Sequence, residues 1–154
     1  MQTEFGSWDI VAAKWVLGLI PSAALPRIAA DALEVGLDTP LLRRLAGELH
    51  RTLGESGPLF EEILDEIGVA IPDRSRAGLI LAREYAAHIA DGTLSPYEGA
   101  RQIWQIQLAV EGLMPELGPF VYWASEWQET NSTARRRQCE AAIRTAALDL
   151  VGAP

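Results

Sequence analysis

The sequence is short of the residues that most often carry covalent or metal chemistry. Among its 154 residues it has one cysteine, Cys139, and two histidines, His50 and His88. A single cysteine excludes an intrachain disulfide. Two distant histidines and one cysteine are too few ligands for a common zinc site unless carboxylates join them. We therefore expect no cofactor and no bound metal.

Positive charge is also scarce. The chain has 13 Lys and Arg residues against 21 Asp and Glu residues, a formal net charge of −8, and Lys14 is its single lysine. Nucleic-acid-binding proteins usually carry a basic field that displaces the counterions of phosphate. The acidic balance therefore predicts that nucleic acid is not a partner. It favours encounter with another protein that is basic.

Long hydrophobic runs are missing as well. The longest apolar stretch without a charged residue, residues 15–26, holds 12 residues, whereas a membrane-spanning helix needs about 20. The first nine residues carry two acids and no basic residue, the opposite of the start of a signal peptide. We expect a cytoplasmic protein that does not associate with membranes.

The features that are present indicate helices. Prolines at 40, 58, 72, 96, 115 and 119 stand just before apolar-periodic segments, and glycines at 36, 68 and 92 stand just after such segments. Proline at the start and glycine past the end are typical of α-helices, and the abundant alanine and leucine favour them. The length suits one domain. The sequence predicts an all-α fold, a single compact bundle of seven or eight short helices spanning residues 1–154.

Three local predictions depend on particular start and stop signals. The first is a helix from Trp8 to Ile20 with Ser7 as its N-cap. The second is a turn over Gly54–Pro58, followed by a helix over Pro58–Ile67. The third is a capping box at the start of the sixth helix. In it the Ser95 hydroxyl accepts from the Glu98 amide, and the Glu98 carboxylate accepts from the Ser95 amide.

The sequence offers only one pair of candidate catalytic residues, Glu84 and His88. No Gly-rich phosphate loop, Gly-x-Ser-x-Gly or Cys-x-x-Cys motif occurs in it, so an enzyme is the less favoured class. Glu84 and His88 are four residues apart and share a helix face, where they form either an acid–base pair or a plain surface ion pair. Placed in an interhelical pocket, they are the basis of the alternative function, a small-molecule-binding or hydrolase-like protein.

Two groups of residues are candidates for binding a partner. The acids of the fourth helix, Glu61, Glu62, Asp65 and Glu66, form either a docking surface for a basic protein or a solvated helix face. Trp123 and Trp127 in the seventh helix are four residues apart and share a face. They are either interface anchors or core. Arg135 and its two neighbours lie near the positive end of the eighth helix, so we expect acids such as Glu126 to offset them.

Several segments together resemble a group of short bacterial proteins that carry no assigned activity. These segments are Gly36–Gly47, Leu59–Gly68, Ile89–Trp104, Phe120–Trp127 and Ile143–Leu150. The resemblance implies a bacterial, cytoplasmic, all-helical protein and brings no catalytic residues with it. Some small acidic bacterial proteins of this kind are toxin-neutralising immunity proteins. The resulting hypothesis is a non-enzymatic, acidic protein-binding module of an immunity-like kind, and homo-oligomerisation stays open.

Overall fold

Helices make up most of the chain in the computed structural model, which describes residues 2–3, 6–47 and 53–154. Two-residue strands, β1 (Gln2–Thr3) and β2 (Gly6–Ser7), pair in antiparallel fashion, a pairing that the sequence does not predict. The α-helices of the described residues are α1 Trp8–Val16, α2 Leu25–Glu34, α3 Pro40–Ala46, α4 Leu53–Glu66, α5 Arg74–Ala90, α6 Pro96–Val110, α7 Gly118–Glu129 and α8 Thr133–Gly152. Short 3-10 turns at Ser22–Ala24 and Pro115–Leu117 precede α2 and α7. The all-α prediction is confirmed.

The contacts of the chain fall into two compact units, Met1–Ala77 and Gly78–Pro154. The boundary lies inside α5, between its fourth and fifth residues. The prediction of one domain over residues 1–154 stays a prediction. None of the described helices combines the length and the apolar character that a membrane span requires.

The first unit is built on the packing of α2 against α3 and of α3 against α4. Its core buries large aliphatic and aromatic side chains, each worth about 1.5–3 kcal/mol when fully buried. The large side chains that are almost completely buried there are Leu25, Ile28, Leu42, Leu45, Phe60, Ile63 and Leu64. The Trp15 ring lies 5.3 Å from the Phe60 ring and adds a partly buried aromatic to this core.

α1 ends at Val16, so its predicted extension to Ile20 is wrong. Gly18 adopts a left-handed φ of +70°. Its amide donates to the Trp15 carbonyl (3.1 Å), and the Leu19 amide donates to the Lys14 carbonyl (2.9 Å). This pair of bonds is the Schellman arrangement, which satisfies the last carbonyls of a helix. The helix therefore stops at the glycine, before Pro21 is reached.

α4 begins at Leu53, so the predicted turn over Gly54–Pro58 is wrong and Pro58 lies inside the helix. An interior proline removes a hydrogen bond and costs about 3 kcal/mol. The packing of the Trp15 ring on Gly57 opposes that cost. A Cβ atom at Gly57 would lie 3.2 Å from Trp15 Cη2. Glycine thus lets the indole approach the helix backbone.

The second unit packs α7 against α6 and α8, and α6 against α8. Its core includes Ile103, Phe120, Ile143 and Cys139. Cys139 is a free, buried thiol and acts as a small core residue.

The start of α6 at Ser95 is confirmed, but the predicted capping box is wrong. The Ser95 side chain accepts no cap hydrogen bond. The Glu98 carboxylate instead pairs with Arg101, one turn further along, at 3.1 Å. By contrast, the Thr39 and Ser132 hydroxyls do cap α3 and α8.

Candidate functional site

Glu84 and His88 lie on the surface of α5, where each side chain is about half exposed. His88 Nε2 is 3.4 Å from Glu84 Oε1, and His88 Nδ1 is 3.0 Å from the Thr93 hydroxyl. A carboxylate, an imidazole and a hydroxyl in this order resemble the parts of a catalytic triad. The position of the hydroxyl proton decides whether Thr93 is a nucleophile.

The Asp91 carboxylate accepts a hydrogen bond from that hydroxyl. The Thr93 hydroxyl donates to Asp91 Oδ1 at 2.5 Å, and the Thr93 amide donates to the same oxygen at 2.9 Å. These two bonds hold the pKa of Asp91 below its ordinary value. The same hydroxyl lies 3.3 Å from the His88 carbonyl. A hydroxyl has one proton to give, and donation to Asp91 or to that carbonyl leaves a Thr93 lone pair facing His88 Nδ1. These contacts tie Thr93 to the C-terminal end of α5, and donation to Asp91 directs the Thr93 proton away from His88.

No group of three or more His, Cys, Asp or Glu side chains suited to a metal ion occurs among the described residues. His50, the other histidine of the sequence, lies outside the described residues.

The four acids of α4, in the first unit, all point to solvent. The Trp15 indole N–H donates to Glu61 Oε1 at 3.4 Å, so one of the four also holds the Trp15 ring on the core. Glu62, Asp65 and Glu66 form the remaining acidic face of the helix.

Trp127 packs between helices of the second unit. The Tyr97 ring of α6 stacks on it with a centroid distance of 3.8 Å and an angle of 12°. The Arg136 guanidinium of α8 lies 4.1 Å from the Trp127 ring centroid, and the Trp127 indole N–H donates to Glu140 Oε1 at 3.4 Å. Two groups cannot share one ring face at these distances, so both faces of Trp127 are covered.

Trp123 is more open than Trp127. It is partly exposed, with Tyr122 edge-on at 4.9 Å and the Arg135 guanidinium 5.4 Å from its ring. Arg135 also donates to Glu126 at 2.8 Å, and this bond raises the pKa of the guanidinium. The predicted offset of Arg135 by Glu126 is confirmed.

An apolar concave surface, which the sequence does not predict, surrounds the connection from α6 to α7. We call it the α6–α7 surface and define it by Leu108, Leu113 and Tyr122, which are 60%, 90% and 52% exposed. These three side chains border a cavity of about 750 Å³. One sequence signal could have indicated this surface: Leu113 and Met114, two apolar residues, directly follow Gly112 in the connection between α6 and α7.

Backbone strain marks the centre of this surface. Glu111, which ends α6, has a φ of +59°, a left-handed conformation that costs a non-glycine residue about 1–2 kcal/mol. The Gln107 side chain donates to the Gly112 carbonyl and ties the connection back to α6.

A second concave surface lies between α7 and α8, with a cavity volume of about 500 Å³. We call it the α7–α8 groove. Its apolar lining includes Pro119 and Trp123 from α7, and Ala142, Ala146 and Leu150 from α8. Two exposed carboxylates, Glu116 and Asp149, also line it.

Comparison with known proteins identified no relative of this chain. No family model, no curated protein and no solved structure matches the chain.

Proposed function

We propose that this protein is a non-enzymatic protein-binding module whose contact surface is the α6–α7 surface. The observation that carries the proposal is the exposure of Leu108, Leu113 and Tyr122 around one concavity. Soluble proteins rarely leave large apolar side chains grouped in this way unless a partner covers them. Large apolar and aromatic side chains that are buried on association supply most of the binding energy of an interface.

The strain at Glu111 supports the same surface. Residues held in unfavourable backbone conformations cluster at functional sites, where they fix a particular geometry. Glycine would adopt this conformation at less cost, yet the glycine of the connection stands one residue later, at Gly112. The strained residue keeps a carboxylate beside Leu113.

The charge of the surface favours a basic partner over a second copy of the chain. Among the described residues that line the α6–α7 surface, Glu111 is the one charged residue. The whole chain carries a net charge of −8. Two copies that met through this surface would bring like charges together, whereas a partner with an apolar anchor and a basic group would complement it.

The candidate residues from the sequence have different roles in this proposal. The acids of α4 contribute to the field that attracts a basic partner. Trp127 stabilises the helix packing, because both of its ring faces are covered. Toxin neutralisation by an immunity-like protein is one form of such binding, and it rests on the resemblance of the sequence to the short bacterial proteins.

Site-specific photocrosslinking in living cells tests the proposal. We expect p-benzoylphenylalanine at position 113 to form an adduct with one discrete heterologous protein. The matched control is position 148 on α8, because Leu148 is also exposed, at 61%, and lies outside the α6–α7 surface. We further expect Leu108→Ser to abolish the adduct from position 113 without lowering the melting temperature. No adduct from position 113, the same adducts from both positions, or an adduct with a second copy of the chain would each contradict the proposal.

A further inference from the structure

The α7–α8 groove has the size and lining of a small-molecule site. Its cavity volume of about 500 Å³ lies within the range of about 300–1,000 Å³ that is typical of ligand sites. Such sites combine a mainly apolar lining with a few polar groups that orient the ligand. The groove has the same composition.

Small side chains on α8 create the space. Ala142 and Ala146 are one helical turn apart and both line the groove, so they lie on the same face of the helix. Trp123 and Pro119 of α7 line the same space. A flat apolar group of the size of one aromatic ring would contact the Trp123 indole and both alanines.

The charged residues that line the groove are both acidic. Glu116 and Asp149 line it, and none of its described lining residues is basic. Two guanidinium groups lie at its border: Arg135, which pairs with Glu126, is 5.4 Å from the Trp123 ring, and Arg83 donates to the Ala153 carbonyl at 3.0 Å. Within the part of the chain that the structure describes, neither carboxylate takes part in an ion pair, unlike Glu126 and Glu98 nearby in the sequence. Both carboxylates are therefore open to a positively charged group.

We propose that the α7–α8 groove binds a small organic cation, an aryl- or alkylammonium compound whose apolar part contacts Trp123, Ala142 and Ala146 and whose ammonium group faces Glu116 and Asp149. The site differs from the α6–α7 surface in its residues and in its ligand, so this inference does not depend on the proposed function.

Titration with three matched probes, followed by amide chemical shifts in NMR, tests the inference. The probes are 2-phenylethylammonium, the neutral 2-phenylethanol and the anionic 3-phenylpropionate. We expect millimolar dissociation constants for fragments of this size, with shifts concentrated in α7 and α8. Because exposed ion pairs contribute modestly, the cation should bind about three- to tenfold more tightly than the alcohol.

Two pairs of variants separate the charge of the groove from its shape. The double variant Glu116→Gln and Asp149→Asn should remove the preference for the cation and leave the affinity for the alcohol unchanged. Its control is Glu129→Gln, an exposed acid of α7 outside the groove. Ala146→Leu should fill the groove and abolish binding of both probes, whereas Ala141→Leu, at an exposed position on α8 outside the groove, should not. Circular dichroism melts verify that each variant is folded.

Equal affinity for the cation and the alcohol would overturn the inference, and so would the absence of binding by all three probes. Shifts outside α7 and α8, or an unchanged preference in the double amide variant, would also overturn it. The photocrosslinking result does not alter any of these outcomes, so the two proposals fail separately.

Discussion

Glu111 shows how one residue links stability to function. Its left-handed conformation ends α6, and the resulting turn directs Leu113 into solvent, where it is 90% exposed. A protein optimised for stability alone would place glycine at this position. Glutamate instead keeps a negative charge next to the exposed leucine.

Replacing this residue should therefore stabilise the protein. We expect Glu111→Gly to raise the free energy of unfolding by about 1 kcal/mol, because glycine removes the conformational strain. Urea denaturation measures the change. The control is Glu129→Gly near the end of α7, where φ is not positive and glycine should destabilise by about 0.5–1 kcal/mol. A loss of stability in Glu111→Gly would show that the glutamate side chain contributes more than its backbone costs.

At the scale of the helices, the starts of α3, α6 and α8 can be compared. Each has a favourable residue type at the N-cap, but the cap hydrogen bond forms at only two of the three. The Thr39 hydroxyl accepts from the Leu42 amide at 3.1 Å, and the Ser132 hydroxyl accepts from the Arg135 amide at 3.2 Å. Ser95 occupies the same position at α6 but accepts no such bond. From the sequence alone the three residues are equivalent, because each is a Ser or Thr, residue types that are favoured at the N-cap.

The three alanine variants should consequently differ. We expect Thr39→Ala and Ser132→Ala each to lower the free energy of unfolding by about 1 kcal/mol, the typical contribution of a cap side chain. Ser95→Ala should change it by less than about 0.5 kcal/mol, as a surface substitution does. Thermal or urea denaturation of the three variants under one set of conditions provides the comparison. A loss of about 1 kcal/mol in Ser95→Ala would mean that the capping box of the sequence prediction forms in solution.

At the scale of the whole molecule, the dominant property is the net charge of −8. A field of this sign accelerates encounter with a basic partner and is screened by salt. The screening length shortens from about 30 Å at 0.01 M to about 8 Å at 0.15 M ionic strength. Four of the acids that produce this charge are grouped on the exposed face of α4.

The association rate with the partner identified by crosslinking should follow this field. We expect the rate to fall about tenfold or more between low and physiological ionic strength, with little change in the dissociation rate. Charge reversal at Glu62 and Asp65 should slow association further. The matched control reverses two acids that stand apart, Glu84 and Glu129, and should slow it less. Equal effects of the two double variants in stopped-flow measurements would assign the steering to total charge and not to the acids of α4.

The sequence by itself determined the helical class and several helix ends, because those signals are local. Pro40 and Thr39 mark the start of α3, and Gly36 follows the end of α2, within a few residues of the backbone groups that they satisfy. The periodic burial of α8 at Cys139 and Ile143 is equally local in origin.

Only the tertiary structure decided which side chains are covered, because covering groups come from distant parts of the chain. Trp123 and Trp127 have the same helical spacing, yet Tyr97 and Arg136 cover Trp127 while Trp123 lines an open groove. The helical start of α4 likewise coincides with the packing of Trp15, more than 40 residues earlier in the chain, on Gly57. The exposure of Leu113 follows from the path of the chain between α6 and α7. Local sequence patterns do not encode these contacts, so the candidate sites could be identified only in the folded structure.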